Sequence, residues 1–237
     1  MKTPHLDHGF DDALASLRAS LDEMATRAEA TLKATMVALE RRDRGQAKAI
    51  IAADGGMNAL EMSVDDKCLK LLARWQPVAG DLRFVAAALK LTVDLERIGD
   101  HCVNIAERSL ELSHTPGEPP VDVVALGETV RKLVHDAFEA LRAEDVQQAS
   151  QIIERGRQAD VLVRDVLHGC FESMQSPNAA IGVAVRTYEI AGYLQRIAAH
   201  ATNVAEMVVF LVRGEDVRHA NQPAAGDASP PAPPTTF

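Results

Sequence analysis

The stretch Leu95–Glu107 (LERIGDHCVNIAE) decides the fold of this chain, because it returns 99 positions later as Leu194–Glu206 (LQRIAAHATNVAE) with seven of thirteen residues identical. Self-similarity at a fixed offset indicates two copies of one structural unit. The segments upstream match as well, since Ile50–Asp54 (IIAAD) lies over Ile152–Gly156 (IIERG). We therefore predict two similar halves of about 100 residues each.

The composition favours helices in both halves. Hydrophobic residues make up 47% of the 237 positions but aromatic residues only 4%, and Ala and Leu supply much of the apolar content. Such a composition suits close helix packing better than a sheet rich in Val, Tyr and Phe. The formal net charge of −9 lacks the basic field that attracts nucleic acid, so we expect no nucleic-acid partner.

Apolar residues recur at spacings of three and four, which predicts an all-α fold of two tandem antiparallel three-helix bundles. The first bundle is predicted over residues 6–113 and the second over 121–213, and a Pro- and Ala-rich tail over 220–237 is predicted to be disordered. Six helices are expected, at about 10–39, 46–74, 81–112, 121–143, 145–174 and 177–212.

Glycine and proline mark where these helices bend or end. Gly55-Gly56 predicts a local kink in the second helix. Asp81 is a candidate cap for the third helix, and Ser176-Pro177 has the pattern of a helix start. The segment 114–120 carries three prolines and separates the two halves.

The chain shows no sign of membrane insertion. No apolar run reaches the roughly 18 to 20 residues that span a bilayer, and the segment 1–7 (MKTPHLD) lacks the apolar core of a signal peptide. We therefore expect a cytoplasmic protein.

The main candidate for chemistry is a stripe on the third predicted helix. Glu96, Asp100 and Asn104 are four residues apart, which stacks them on one face. Neighbouring carboxylates repel unless a cation or a basic side chain lies between them. Their hard oxygen atoms suit Mg²⁺, Ca²⁺, Mn²⁺ or iron.

Spacing alone is more typical of a solvated acidic face or of ion pairs with Arg97. The second predicted helix adds weight to a metal site, because it offers Asp54, Glu61 and Asp65 to an antiparallel neighbour. Both interpretations remain open at this level.

Longer motifs resemble the PhoU family of bacterial phosphate-signalling regulators. The motifs lie within residues 6–219 and comprise 76–84 (QPVAGDLRF), 94–101 (DLERIGDH), 104–107 (NIAE), 200–206 (HATNVAE) and 211–219 (LVRGEDVRH). The resemblance implies two three-helix bundles whose acidic motifs hold multinuclear metal clusters in some members, iron among them.

The resemblance also implies a function without catalysis. Family members act in the cytoplasm as negative regulators of the phosphate-starvation response. They link the ATPase subunit of the phosphate ABC transporter to a membrane sensor histidine kinase. By this resemblance we expect a regulator of phosphate uptake that acts by protein contact, is not an enzyme and forms a homodimer.

Only the first half keeps the acidic pattern. Glu96 and Asp100 match the family motif, and Asp54 stands at the acidic position of the second helix, with Glu61 as a further candidate ligand. We therefore expect a cluster of iron or another divalent cation in the first bundle only. In the second half Gln195, Ala199 and Gly156 replace the acids and leave Asp160 largely alone.

Two other functions fit parts of the sequence. Glu111-Leu-Ser-His114 matches the short motif of ferritin-like di-metal carboxylate enzymes, which Asp165–His168 and Asp216–His219 approximate. A metal-free helical adaptor is the other alternative. His101 and His200 occupy equivalent places in the two halves, which favours a common structural hydrogen bond over metal ligation.

Overall fold

The computed structural model describes residues 8–176, 180–215 and 217, and within them the secondary structure is entirely α-helical. The helices are α1 (His8–Arg41), α2 (Arg44–Ala52), α3 (Gly55–Trp75), α4 (Ala79–Leu112), α5 (Val123–Ala143), α6 (Val146–Met174) and α7 (Ile181–Arg213). The prediction of an all-α fold is confirmed. In the described part, no helix combines the length and apolar character that a membrane crossing requires.

Helix starts follow the local chemistry of the chain. Asp43, Asp122 and Asp145 each stand before a helix and accept hydrogen bonds from backbone amides in its first turn. Such caps satisfy amide groups that have no partner within the helix. The third predicted helix is observed as α4 and begins at Ala79, so Val78 is its N-cap and Asp81 lies inside its first turn. The predicted start at Pro177 and the tail over 220–237 lie outside the described residues.

The second predicted helix is two helices, which corrects the expectation of one helix with a kink. α2 ends at Ala52, and α3 begins at Gly55 after the cap residue Asp54. Arg27 of α1 donates a hydrogen bond of 2.9 Å to the carbonyl oxygen of Gly56. Because a Cβ atom on Gly56 would lie 2.7 Å from the guanidinium of Arg27, glycine makes room for this side chain at the break.

Helices α1 to α4 form one bundle and α5 to α7 form another, and the two pack along α4 with α7 and α1 with α5. α4 and α7 run antiparallel, since Lys90 lies near Phe210 at one end and Arg108 near Glu189 at the other. One continuous hydrophobic core spans both bundles. α1 and α5 approach closely at Gly127, where a Cβ atom would lie 1.9 Å from the Cε atom of Met36.

Candidate functional site

The predicted acidic stripe lies on α4 with an arginine beside it. The Glu96 side chain is 14% exposed and that of Asp100 is 29% exposed. Arg97 places its Nε atom 3.5 Å from Oε2 of Glu96 and donates from Nη1 to Oδ2 of Asp100 at 3.2 Å. The guanidinium thus supplies the positive charge that two stacked carboxylates require.

Glu61 joins this pair from α3. The pKa of Glu96 is raised from 4.5 to about 7, first because burial disfavours its charged form and then because the charges of Asp100 and Glu61 oppose ionisation. Arg97 works in the opposite direction. The packing of α3 on α4 thus brings the charge of Glu61 to bear on Glu96, which is only partly ionised near pH 7.

Asp54, the fourth predicted ligand, stands at the cap of α3 and lines a cavity of about 410 Å³. The cavity lies between α1, α2, α3 and α4, and its walls include Arg27, Met57 and Gly99. Met57 contacts Gly99 across the α3 and α4 interface. Asp54 therefore borders this interface at the break between α2 and α3.

The chemistry of these four acidic side chains suits a metal ion, but their arrangement suits one less well. Carboxylate oxygens are the ligands that hard cations prefer. Over residues 8–176, 180–215 and 217, however, no three or more His, Cys, Asp or Glu side chains are grouped as a site that could hold a metal ion. In this arrangement Arg97 takes the counter-charge role, so metal binding requires Arg97 to turn away.

The second bundle is built differently at the matching positions. A Cβ atom on Gly156 would lie 2.2 Å from Oγ1 of Thr202, so α6 and α7 approach closely where α3 and α4 carry acidic side chains. Ala199 and Asp160 are exposed to solvent. Glycine at this position serves close helix packing and leaves no room for a carboxylate.

A polar cluster at the α4 and α7 interface was not predicted. Oδ1 of Asp94 lies 2.8 Å from Nδ1 of His200 and 2.9 Å from Nδ2 of Asn203. Because a carboxylate only accepts, both nitrogens donate to it. The duplication relates Asp94 to Tyr193 and His200 to His101, and the His101 ring stacks on Tyr193 at 5.9 Å.

The two equivalent histidines therefore differ, which corrects the expectation of a common hydrogen bond. His200 bonds to Asp94, whereas Nδ1 of His101 is buried with no hydrogen-bond partner among the described residues. The cause is the exchange of aspartate for tyrosine at the matching position. Burial, followed by the nearby His200 and Arg196, lowers the pKa of His101 to about 4, so the ring is neutral at pH 7.

Replacing Asp94 with alanine is expected to lower the free energy of unfolding by about 2 to 3 kcal/mol, because two partly buried donors lose a charged acceptor. Urea unfolding at pH 7 measures the change, and Asp165→Ala, which removes an exposed carboxylate of α6, is the control. Equal stability of the two variants would contradict a stabilising role for this cluster.

Both halves of the chain match one protein family. The family model described as "PhoU domain" matches residues 21–109 and 123–208. Two homologues, each called "Phosphate-specific transport system accessory protein PhoU homolog", come from Pseudomonas putida and Pseudomonas aeruginosa. Both are 33% identical over 92% of this chain, covering 86% and 90% of their own lengths.

Solved structures agree with the sequence relatives. The crystal structure of PhoU from Pseudomonas aeruginosa matches with a TM-score of 0.83 and 32% identity, over 87% of this chain and all of that one. The phosphate transport system regulatory protein PhoU from Streptococcus pneumoniae matches with a TM-score of 0.80 and 27% identity, over 88% and 99% of the two chains. The resemblance seen in the sequence motifs is confirmed, and the chain belongs to the PhoU family.

Proposed function

We propose that this protein is a negative regulator of phosphate uptake and of the phosphate-starvation response. This proposal is supported by relatives that match 92% of the chain. Their name is phosphate-specific transport system accessory protein. In this proposal it acts in the cytoplasm as a homodimer, and it contacts the ATPase subunit of the phosphate ABC transporter and the membrane sensor histidine kinase.

We propose a binding role, because the residues of the enzyme alternative are engaged elsewhere. Glu111 forms ion pairs with Arg108 and Arg186, so the carboxylate of the Glu111–His114 motif serves the contact between α4 and α7. His168 and Glu172 form a loose pair of 3.6 Å on the surface of α6. The motif at Asp216–His219 includes residues outside the described part.

A second proposal concerns the carboxylates of the first bundle. Glu61, Glu96 and Asp100, with Asp54 as a fourth ligand, would hold a multinuclear cluster of iron or another divalent cation. The raised pKa of Glu96 supports this, because a bound cation relieves the repulsion that opposes its ionisation. A metal-free adaptor is the competing proposal, which the ion pairs of Arg97 favour.

Deletion of the gene tests the regulatory function. We expect genes of the phosphate-starvation response to be expressed in high phosphate when the protein is absent and to be repressed again when it is restored. Tagged protein is expected to recover the transporter ATPase or the sensor kinase. Unchanged expression together with recovery of neither partner would rule out the proposed regulation.

A further inference from the structure

A groove between α1 and α3 lies on a side of α3 away from the carboxylate cluster, by which we mean Glu61, Glu96 and Asp100. It has a volume of about 580 Å³ and apolar walls formed by Ala13, Leu71 and Trp75. Trp75 also packs against Phe10 at 5.9 Å, which fixes the indole at the end of the groove. Its volume falls in the range of ligand-binding clefts.

Three basic residues border these apolar walls. Lys67, Lys70 and Arg74 are spaced by three and four, so they form one basic edge along α3. Lys67 is held by Ser20 and by the carbonyl oxygen of Ser16, both on α1. Arg74 stacks over the ring of Trp75 at 4.6 Å. Two of these three cations are thus held in place by contacts with neutral groups.

Lys70 has an acidic neighbour, but the pair is weak. Its Nζ atom contacts Asp66 one turn away, and the two side chains are 71% and 58% exposed. Exposed pairs of this kind contribute little to stability, so Lys70 remains available to another carboxylate. A basic edge is notable in a chain whose net charge is −9.

Glu61 and the basic edge lie on different sides of α3. Glu61 and Lys70 are nine residues apart, which places them on opposite sides of a helix with about 100° per residue. Glu61 acts on Glu96 of α4, whereas Lys67 contacts α1. The same helix thus presents Glu61 toward α4 and three cations toward the groove, where Asp66 accompanies Lys70.

The turn after Trp75 adds an exposed apolar side chain at this end of the bundle. Gln76 and Ala79 have positive φ angles of 47° and 48°, which are unfavourable for residues other than glycine. Between them, Val78 is 71% exposed. The turn therefore holds a strained conformation while leaving a hydrophobic side chain in solvent.

We propose that this groove binds an acidic amphipathic segment of a partner protein. Apolar side chains of the segment would lie against Ala13 and Trp75, which are partly exposed, and its carboxylates would contact Lys70 and Arg74. This is the helix-in-groove mode of recognition with complementary charge. The proposal goes beyond the regulatory function and requires no metal, because the surface is separate from the carboxylate cluster.

A protein segment fits better than an anionic membrane. The apolar walls are concave and lie between two helices, which suits an inserted side chain. Away from the three cations, the net charge of −9 would repel an anionic lipid surface.

Trp75 is the only tryptophan in the chain, so intrinsic fluorescence reports directly on the groove. The probe is a synthetic helical peptide without tryptophan, with leucines at spacings of three and four and glutamates at the remaining positions. Titration is expected to shift the Trp75 emission saturably. A peptide with lysine in place of each glutamate is expected to leave the emission unchanged.

Charge reversal tests the basic edge. The double variant K70E/R74E is expected to bind the acidic peptide about tenfold more weakly or worse, and circular dichroism checks that its helix content is retained. K48E/K132E makes the same change of net charge at exposed lysines of α2 and α5 and is expected to bind like the parent. Absence of saturable binding, equal binding of the lysine peptide, or no effect of K70E/R74E would overturn the proposal.

Three further measurements test for other occupants of the groove. A photo-crosslinking amino acid at position 73, where an exposed alanine lines the groove, is expected in living cells to capture an acidic segment of another protein, identified by mass spectrometry. Capture of a neutral or basic segment would overturn the proposal. So would binding to phosphatidylserine vesicles that is lost in K70E/R74E, or a dimer in sedimentation that dissociates in that variant.

Discussion

Replacing Glu96 with glutamine is expected to raise the free energy of unfolding by up to about 3 kcal/mol at pH 8. Burial and the carboxylates of Asp100 and Glu61 raise the pKa of Glu96 from 4.5 to about 7. Each pKa unit corresponds to about 1.4 kcal/mol of difference between the two protonation states. Glutamine keeps the shape of the side chain and removes the charge that the folded protein disfavours.

The direction of this change in the free energy of unfolding follows from proton linkage. The folded protein holds the Glu96 proton more tightly than the unfolded chain, so this group favours folding fully below pH 4.5. That contribution is lost as the pH rises from 4.5 through about 7. The advantage of Glu96→Gln over the parent should therefore be close to zero below pH 4.5, grow across this window and level off above it.

Urea unfolding at several pH values in the presence of a chelator measures this difference. Asp160→Asn is the matched control, since it removes one exposed carboxylate from the second bundle and is expected to change little at any pH. A Glu96→Gln variant whose stability follows that of the parent from pH 4.5 to 8 would contradict the burial and repulsion assigned to Glu96.

The all-α fold could be predicted from the sequence, because the helical spacing and the internal repeat can both be read without knowledge of the contacts between helices. The break between α2 and α3 was only partly predictable. Gly55-Gly56 indicated a kink, but the break also involves Arg27, which lies 29 residues before Gly56 and bonds to its carbonyl oxygen. A contact of that kind exists only after α1 packs against α3.

The candidate site was likewise predictable where it depends on spacing along one helix, and not where it depends on contacts between helices. Glu96 and Asp100 share a face by spacing alone, and an antiparallel neighbour was enough to suggest Glu61. The contact of Asp94 with His200 joins residues 106 positions apart. It depends on the antiparallel crossing of α4 and α7, which the sequence repeat does not specify. One signal in the sequence was missed: extending the alignment of the two halves by one residue pairs Asp94 with Tyr193.

Replacing Glu96 and Asp100 together with alanine is expected to abolish metal binding by the first bundle. The substitution removes two of the anionic ligands, and alanine supplies no oxygen in their place. Helix content should be nearly unchanged, because alanine favours helices and the change removes a like-charge repulsion. Metal content is measured by elemental analysis of protein purified without chelator or nickel affinity resin.

Asp160→Ala provides the control in the second bundle and is expected to retain the metal content of the parent. The asymmetry has a structural reason, because the place of an acidic ligand is taken there by Gly156 packed against Thr202. Arg97→Gln is expected to strengthen metal binding, since Arg97 now supplies the counter-charge to Glu96 and Asp100. Equal metal in the double variant and the parent, or metal confined to the second bundle, would leave Glu96 and Asp100 as helix carboxylates paired with Arg97.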